Sequence, residues 1–318
     1  MNSFSTVSVG PRNKPRNRMS ARLPSILVAT DGSTTSLSAY TAADLIAARR
    51  GAQVHVLSVL RPFPVMVPPL SAHVVTSGVD RADAEVTEKV VREQLAKISR
   101  SAEWTIETRA GAPASTIARA ARDRCTDIII IGESHHGRVD RLLGEETSSQ
   151  LARRVNLPLL VASAAMCRLP RRVVIAFDLT SDDFSAAARA LEILGAPPGV
   201  SCVHVQPRAE LLGVDWAEYD GEYRAQVQVT FERMKQALTA VPRIQPELVV
   251  LHGDPATEIN AFAESVKAEM IVLGLKPRGA ISLSPGGGVA MKVTRASHRL
   301  VLLIPRKTTK DQTRGSTQ

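Results

Sequence analysis

Two aspartates close two matching apolar runs, Ile26-Leu27-Val28-Ala29-Thr30-Asp31 and Val173-Val174-Ile175-Ala176-Phe177-Asp178. A carboxylate directly after a strand either caps the next helix or turn, or contacts a ribose. Further along, Gly286-Gly287-Gly288 offers bare backbone amides with Lys276, Arg278 and Lys292 nearby in sequence. Such amides suit an anion, because glycine lets the backbone approach and a helix start points its N–H groups outward. His135 and His136 invite a metal, but adjacent side chains point different ways and no third ligand accompanies them. His204 lies inside an apolar run and reads as a packed or hydrogen-bonded histidine. Cys125 precedes another such run with no base beside it and reads as packing. No catalytic set emerges: there is no Walker-type Lys-Ser/Thr pair and no carboxylate cluster to hold magnesium.

The repetition extends well beyond the aspartates. Gly111-Ala-Pro-Ala-Ser-Thr-Ile117 matches Gly253-Asp-Pro-Ala-Thr-Glu-Ile259, and Asp127-Ile-Ile-Ile-Ile-Gly132 matches Glu269-Met-Ile-Val-Leu-Gly274, each 142 residues later. Similar segments in the same order at so long a period mean two copies of one domain, not a solenoid. The expected division is 23–164 and 170–305, with a short linker over 163–170 and basic tails at 1–22 and 306–318.

Each half alternates apolar runs with helical patterns. In the first, strands are expected at Ile26–Thr30, Val54–Leu60, Trp104–Thr108, Ile128–Ile131 and Leu159–Ala162. In the second they fall at Val173–Phe177, Val200–Val205, Leu248–Leu251, Met270–Leu273 and Leu300–Ile304. These runs are rich in Val, Ile and Leu with little polar alternation, as in parallel strands covered on both faces. Helices are expected at Thr35–Arg50, with Ser33 as N-cap and Gly51 as stop, then at Asp80–Ser99, from Pro113 to Arg124, and at Glu145–Val155. Their counterparts are Asp182–Leu194, Glu222–Thr239, Pro255–Lys267 and Gly288–Ala296. Right-handed crossovers turn this order into an open, doubly wound α/β sheet. Residues 61–78 and 206–221 read as irregular segments, either ligand lids or flaps over apolar surface. The last strand of each half ends as an apolar sheet edge that needs a partner.

The chain has 318 residues and a net charge of +9. Residues 1–22 carry five basic residues and no acid, and 306–318 carry four against one. The two tails therefore hold eight of the nine excess charges, and the core is nearly neutral. A basic tail attracts phosphate polymers without specificity, or simply solubilises a disordered end. The first 22 residues lack the apolar core of a secretory signal, Pro11 and Pro15 oppose a transit helix, and Met19 is an alternative start. Three scattered cysteines favour a reducing compartment, and no run is long enough for a membrane span.

Val28-Ala29-Thr30-Asp31-Gly32-Ser33, Gly111-Ala112-Pro113, Ile131-Gly132, Gly144 and Pro158-Leu-Leu-Val161 together resemble the universal stress protein family. Val174–Asp178, Gly253-Asp254-Pro255, Gly274, Gly287 and Leu300–Ile304 resemble it a second time. The resemblance covers nearly all of 23–305. It implies two tandem doubly wound five-stranded parallel sheets of the adenine nucleotide alpha-hydrolase-like kind, packed as an internal pseudo-dimer through their last strands. Some members bind ATP, so it also implies an adenine nucleotide as ligand. By position, Ala29, Asp31 and Val59 would face adenosine in the first half, and Ala176, Asp178 and Val205 in the second.

The family's Gly-x2-Gly-x9-Gly-Ser/Thr phosphate loop maps onto Gly132, Gly137, Gly144, Thr147 and Ser148 in the first half. In the second it maps onto Gly274, Gly287 and Gly288. Both halves depart from it. His135 holds the second glycine position, and Glu145 and Glu146 follow Gly144. Pro277 replaces the middle glycine of the second loop, and Gly288 its hydroxyl residue. By charge the second half suits phosphate better, whereas its Asp-Gly-Ser turn brings the first half closer to the family. The expected function is a cytoplasmic stress-response regulator that binds ATP or another adenine nucleotide, uses no metal, has at most slow ATP hydrolysis, and contacts an unknown protein partner. The other readings are a stress scaffold with degenerate loops and a related enzyme, the last of which needs a fuller phosphate loop after the first strand. No membrane or sequence-specific nucleic-acid role is expected, and a further homodimer is compatible with the sequence.

Overall fold

The computed structural model describes residues 24–61, 81–98, 100–132, 141–163, 166–179, 184, 188, 191–193, 197–206, 216–239, 244–275 and 288–305. The first half runs β1 Ser25–Thr30, α1 Ser36–Arg50, β2 Gln53–Leu60, α2 Arg81–Leu95, β3 Thr105–Ala110, α3 Pro113–Asp123, β4 Ile128–Gly132, α4 Arg141–Arg154 and β5 Leu159–Ala162. The second runs β6 Arg172–Ala176, β7 Gly199–Gln206, α5 Trp216–Thr239, β8 Pro246–His252, α6 Pro255–Ser265, β9 Met270–Leu275, α7 Val289–Ala296 and β10 Leu300–Pro305. Of the helix expected over 182–194, the described positions 188 and 191–193 are helical and 184 is not.

The ten described strands form one sheet in the order β3-β2-β1-β4-β5-β10-β9-β6-β7-β8. Pairing is parallel within each half and antiparallel only at β5–β10, where Val301, Leu302 and Leu303 face Val161, Leu160 and Leu159. The two apolar edges expected from the sequence thus cover each other. Leu159, Leu160, Val301, Leu302 and Leu303 are all buried. Burying a side chain of this size contributes about 1.5–3 kcal/mol relative to leaving it exposed.

Each face of the sheet carries one core that runs through both halves. On one face, Tyr40, Val91 and Leu95 share a cluster with Leu191, Phe231 and Met234. On the other, Ala120 and Leu151 share one with Ile259, Ala263 and Val293. Equivalent helices therefore lie on the same face, and the antiparallel seam points the carboxyl ends of the two sets of strands to opposite edges of the sheet. Matching acids hold each half's first strand. Asp127 Oδ2 accepts from the Ser25 amide at 2.9 Å, and Glu269 Oε2 accepts from the Arg171 and Arg172 amides at 2.5 and 3.2 Å.

Three helix starts differ from expectation. Thr35, not Ser33, occupies the N-cap of α1, and its side chain makes no capping bond; the Ser33 carbonyl closes the preceding turn on Ser36 at 3.1 Å. Helix α5 begins at Trp216, six residues early, because Trp216-Ala-Glu-Tyr continues the helical run despite Gly221. Helix α4 begins at Arg141 and not Glu145.

Proline at position 301 removes an amide from the strand lying between β5 and β9 and leaves a buried carbonyl without its donor. Val301→Pro should lower the unfolding free energy by at least about 1–3 kcal/mol in urea titrations. An unchanged midpoint would contradict the seam.

Candidate functional site

The carboxyl tips of β1, β2 and β4 meet at the first rim, where the strand order reverses between β1 and β4. That reversal is where open α/β sheets bind ligands. Chain direction at the rim is set by Gly32, whose φ of +77° follows Asp31. The Ser33 amide donates to Asp31 Oδ1 at 2.9 Å, and Ser36 Oγ donates to the same oxygen at 3.2 Å. Asp31 thus ties the turn to the first residue of α1. Gly132 ends β4 against that turn; a Cβ there would lie 3.0 Å from the Thr35 carbonyl oxygen and 3.3 Å from Ser36 Cα. Its smallness lets strand and helix meet, independently of any phosphate.

Gly111 and Gly253 play one role in the two halves. Their φ values are +142° and +145°. Their amides donate to Leu60 O and Gln206 O, the last residues of β2 and β7, at 2.9 and 3.0 Å. Each ties the start of α3 or α6 to the rim.

Beside this tie the first rim opens into a cavity of about 320 Å³, lined by Arg61, Gly111, Ala112, Pro113, Ala114, Thr147 and Gln150. That is the low end of small-molecule sites. No acid is among its described lining residues, and Arg61 supplies a cation. Ala29 and Val59 belong to the core cluster on the same α3/α4 face. Ala29, Asp31, Val59, Gly132 and Thr147 therefore gather at one rim. Ser148, expected beside Thr147, is instead buried. Gly144 lies inside the first turn of α4 and not in a loop before it. Gly137, His135 and His136 lie outside the described residues. Arg61 and Gln150 were not singled out from the sequence. The position of Arg61 directly after β2 was the available signal.

At the opposite rim, Ala176 ends β6, Asp178 follows it, Val205 is buried near the end of β7, and Gly274 lies within β9. Gly288 is the N-cap of α7, and its carbonyl accepts from Met291 and Lys292 at 3.0 and 3.2 Å. Gly287, Lys276, Pro277 and Arg278 lie outside the described residues. Asp254 caps α6, with Oδ1 accepting from the Thr257 amide at 3.0 Å and its hydroxyl at 2.9 Å. Glu258 reaches back so far that a Cβ on Gly253 would meet its Oε1 at 2.7 Å. Where the first rim has Ala112 and Thr116, the second thus has two carboxylates, which the charge of the loop alone did not reveal. Lys292, expected near an anion, lies close enough to Asp254 to help lower its pKa, after the larger effect of the Thr257 bonds.

His204 is buried under the second rim, its Nδ1 3.2 Å from Phe177 O and its Nε2 2.6 Å from Tyr223 Oη. Burial lowers its pKa. Cys125 corrects the packing expectation: it is exposed, at φ +48°, just past α3. Cys202 is buried, and its thiol is pushed up to about 12. Among the described residues no cluster of three His, Cys, Asp or Glu is placed to hold a metal, and no helix is long and apolar enough to cross a membrane.

The universal stress protein family profile matches residues 23–163 and again 170–305. The chain belongs to the universal stress protein family. Its tandem organisation is shared in outline with a universal stress protein from Archaeoglobus fulgidus, 20% identical, with a TM-score of 0.60 over 90% of this chain and 100% of that one. A second likeness is to a putative universal stress protein from Pseudomonas aeruginosa, 16% identical, with a TM-score of 0.61 over 89% and 94%. At these identities the likeness speaks to fold: two universal stress modules in one chain. No curated protein matches the sequence.

The N-cap gives a pH-dependent prediction. Asp254→Ala should cost about 1 kcal/mol near neutral pH. The folded carboxylate titrates below its ordinary value. The cap's stabilisation is therefore present above the ordinary carboxylate pKa and is lost as pH falls through the lowered one. Thermal melts of the two proteins should differ at pH 7 and converge under strong acid.

Proposed function

We propose that this universal stress protein is a regulator that binds one adenine nucleotide per chain, at the first rim. The cavity beside Gly111 carries the reading. It opens at the end of β2, the strand that holds Val59, where Thr147 offers a hydroxyl and Arg61 offers a charge for phosphate. The second rim repeats the backbone but sets Asp254 and Glu258 at the start of α6, where they repel an anion. The proposed ligand lies against Ala29, Asp31 and Val59 with its phosphate toward Arg61 and Thr147. Ala176, Asp178, Val205, Gly274 and Gly288 belong to a rim that has lost nucleotide. The proposed domain division is 23–164 and 170–305, and the proposed setting is the cytoplasm.

One observation favours the alternative, a scaffold without nucleotide. Helix α4 starts at Arg141, so Gly144 is helical and Glu145 and Glu146 occupy the first two turns, where the family's loop would leave amides open. The two readings separate by titration. A universal stress protein has been crystallised with cAMP, which adds that nucleotide to ATP and AMP as probes.

Isothermal titration of the full chain should give a stoichiometry near one for at least one of the three. Arg61→Ala should weaken it about tenfold, the effect of ~1.4 kcal/mol. If none binds at millimolar concentration, and none is released when the purified protein is denatured, the scaffold reading stands.

A further inference from the structure

The turn that carries Asp31 is held by more than a turn requires. The Tyr40 hydroxyl donates to Thr30 Oγ1 at 2.9 Å, Thr30 Oγ1 donates to Ser36 Oγ at 2.8 Å, and Ser36 Oγ donates to Asp31 Oδ1 at 3.2 Å. The direction is fixed at the carboxylate end. Asp31 as a carboxylate only accepts, so the single Ser36 proton goes to it, the Thr30 proton to Ser36 and the Tyr40 proton to Thr30, whose second lone pair accepts from the Gly32 amide at 3.0 Å. Tyr40 has 0% exposure, so its hydroxyl has no water to turn to. Burial pushes this phenol up to about 12, so it remains a donor throughout the physiological range. Gln94 of α2 clamps the same turn from above, its Nε2 donating to Gly32 O at 2.7 Å and Ser33 O at 3.2 Å. The Ser33 amide alone would close the turn on Asp31. Three side-chain hydroxyls in series do something further: they link the same carboxylate oxygen to the buried core.

The second half has no hydroxyl at the position of Thr30. Phe177 stands directly before Asp178, as Thr30 stands before Asp31, and its ring packs 5.4 Å from the His204 ring. A phenyl group cannot receive or pass on a hydrogen bond in such a chain.

We propose that Thr30, Ser36 and Tyr40 are positioning residues for the Asp31 carboxylate, a buried hydroxyl relay that presets the first rim for its ligand and whose central threonine is Phe177 in the second half. The proposal rests on the nucleotide reading and adds the residues that make the two rims unequal. Hydrogen bonds in series polarise one another, so breaking any link loosens the terminal carboxylate.

The test compares the full chain with Thr30→Val, Thr30→Ser and Tyr40→Phe, by titration with ATP, AMP and cAMP and by NMR-detected amide exchange at Gly32 and Ser33. Thr30→Val and Tyr40→Phe should each weaken binding about fivefold, the effect of one hydrogen bond, and speed exchange at both amides. Thr30→Ser keeps the hydroxyl and should leave affinity within about twofold. A merely structural role would move exchange and melting temperature but leave affinity alone. Wild-type affinity in both Thr30→Val and Tyr40→Phe overturns this proposal while leaving the nucleotide reading intact. A wild-type chain that binds none of the three sinks both.

Discussion

Antiparallel pairing of β5 with β10 is the constraint from which the rest of the molecule follows. A five-stranded parallel sheet whose last strand reads Leu-Leu-Val-Ala ends in an apolar edge with open backbone groups, and such an edge must be covered. Here the second copy covers it within the same chain. Because the seam is antiparallel, equivalent helices share a face and their cores merge. For the same reason the two rims point away from each other and cannot form one composite site. The outer edge at β3 is blunted by charge: Arg109 bonds Glu107 at 2.6 Å and Asp123 at 2.9 Å, and Arg124 reaches Glu107 at 2.6 Å.

What the two copies retain and what they have lost divides along backbone and side-chain lines. Gly111 and Gly253 keep a φ that other residues rarely adopt, because each must tie a helix start to the end of the neighbouring strand. Asp127 and Glu269 keep the anchor on the first strand. Even the left-handed residue after the third helix persists, as Cys125 in one half and Lys267 in the other. The rims themselves diverge: Ala112 against Asp254, Thr116 against Glu258, Thr30 against Phe177. Shared geometry with unshared chemistry is the pattern expected when the fold constrains both copies and the rim side chains are free to differ.

Much of this was legible in the sequence. Strand runs of Ile, Val and Leu bounded by Gly and Pro located all ten strands closely, since such runs are buried on both faces and have few other uses. Helix starts were harder. Local signals at Glu145 and Glu222 looked like beginnings, but Arg141-Leu-Leu and Trp216-Ala-Glu-Tyr are helix-compatible stretches that extend each helix N-terminally. The rim electrostatics were hidden for a different reason. Asp254 sits in a motif shared with the first half and Glu258 on what reads as an ordinary helix. Only folding brings Glu258 back onto Gly253. The Tyr40 relay was likewise out of reach, because it depends on which face of α1 lies over β1.

Native-state hydrogen exchange across the seam bears most directly on the claim that the two modules form one sheet. Backbone amides of Leu159–Ala162 and Leu300–Ile304 lie at the centre of ten strands, so they should exchange only through global unfolding, with the same denaturant dependence as the β1 and β6 amides. Rapid exchange confined to those two strands, with β1 and β6 still protected, would mean that the halves do not share a sheet in solution.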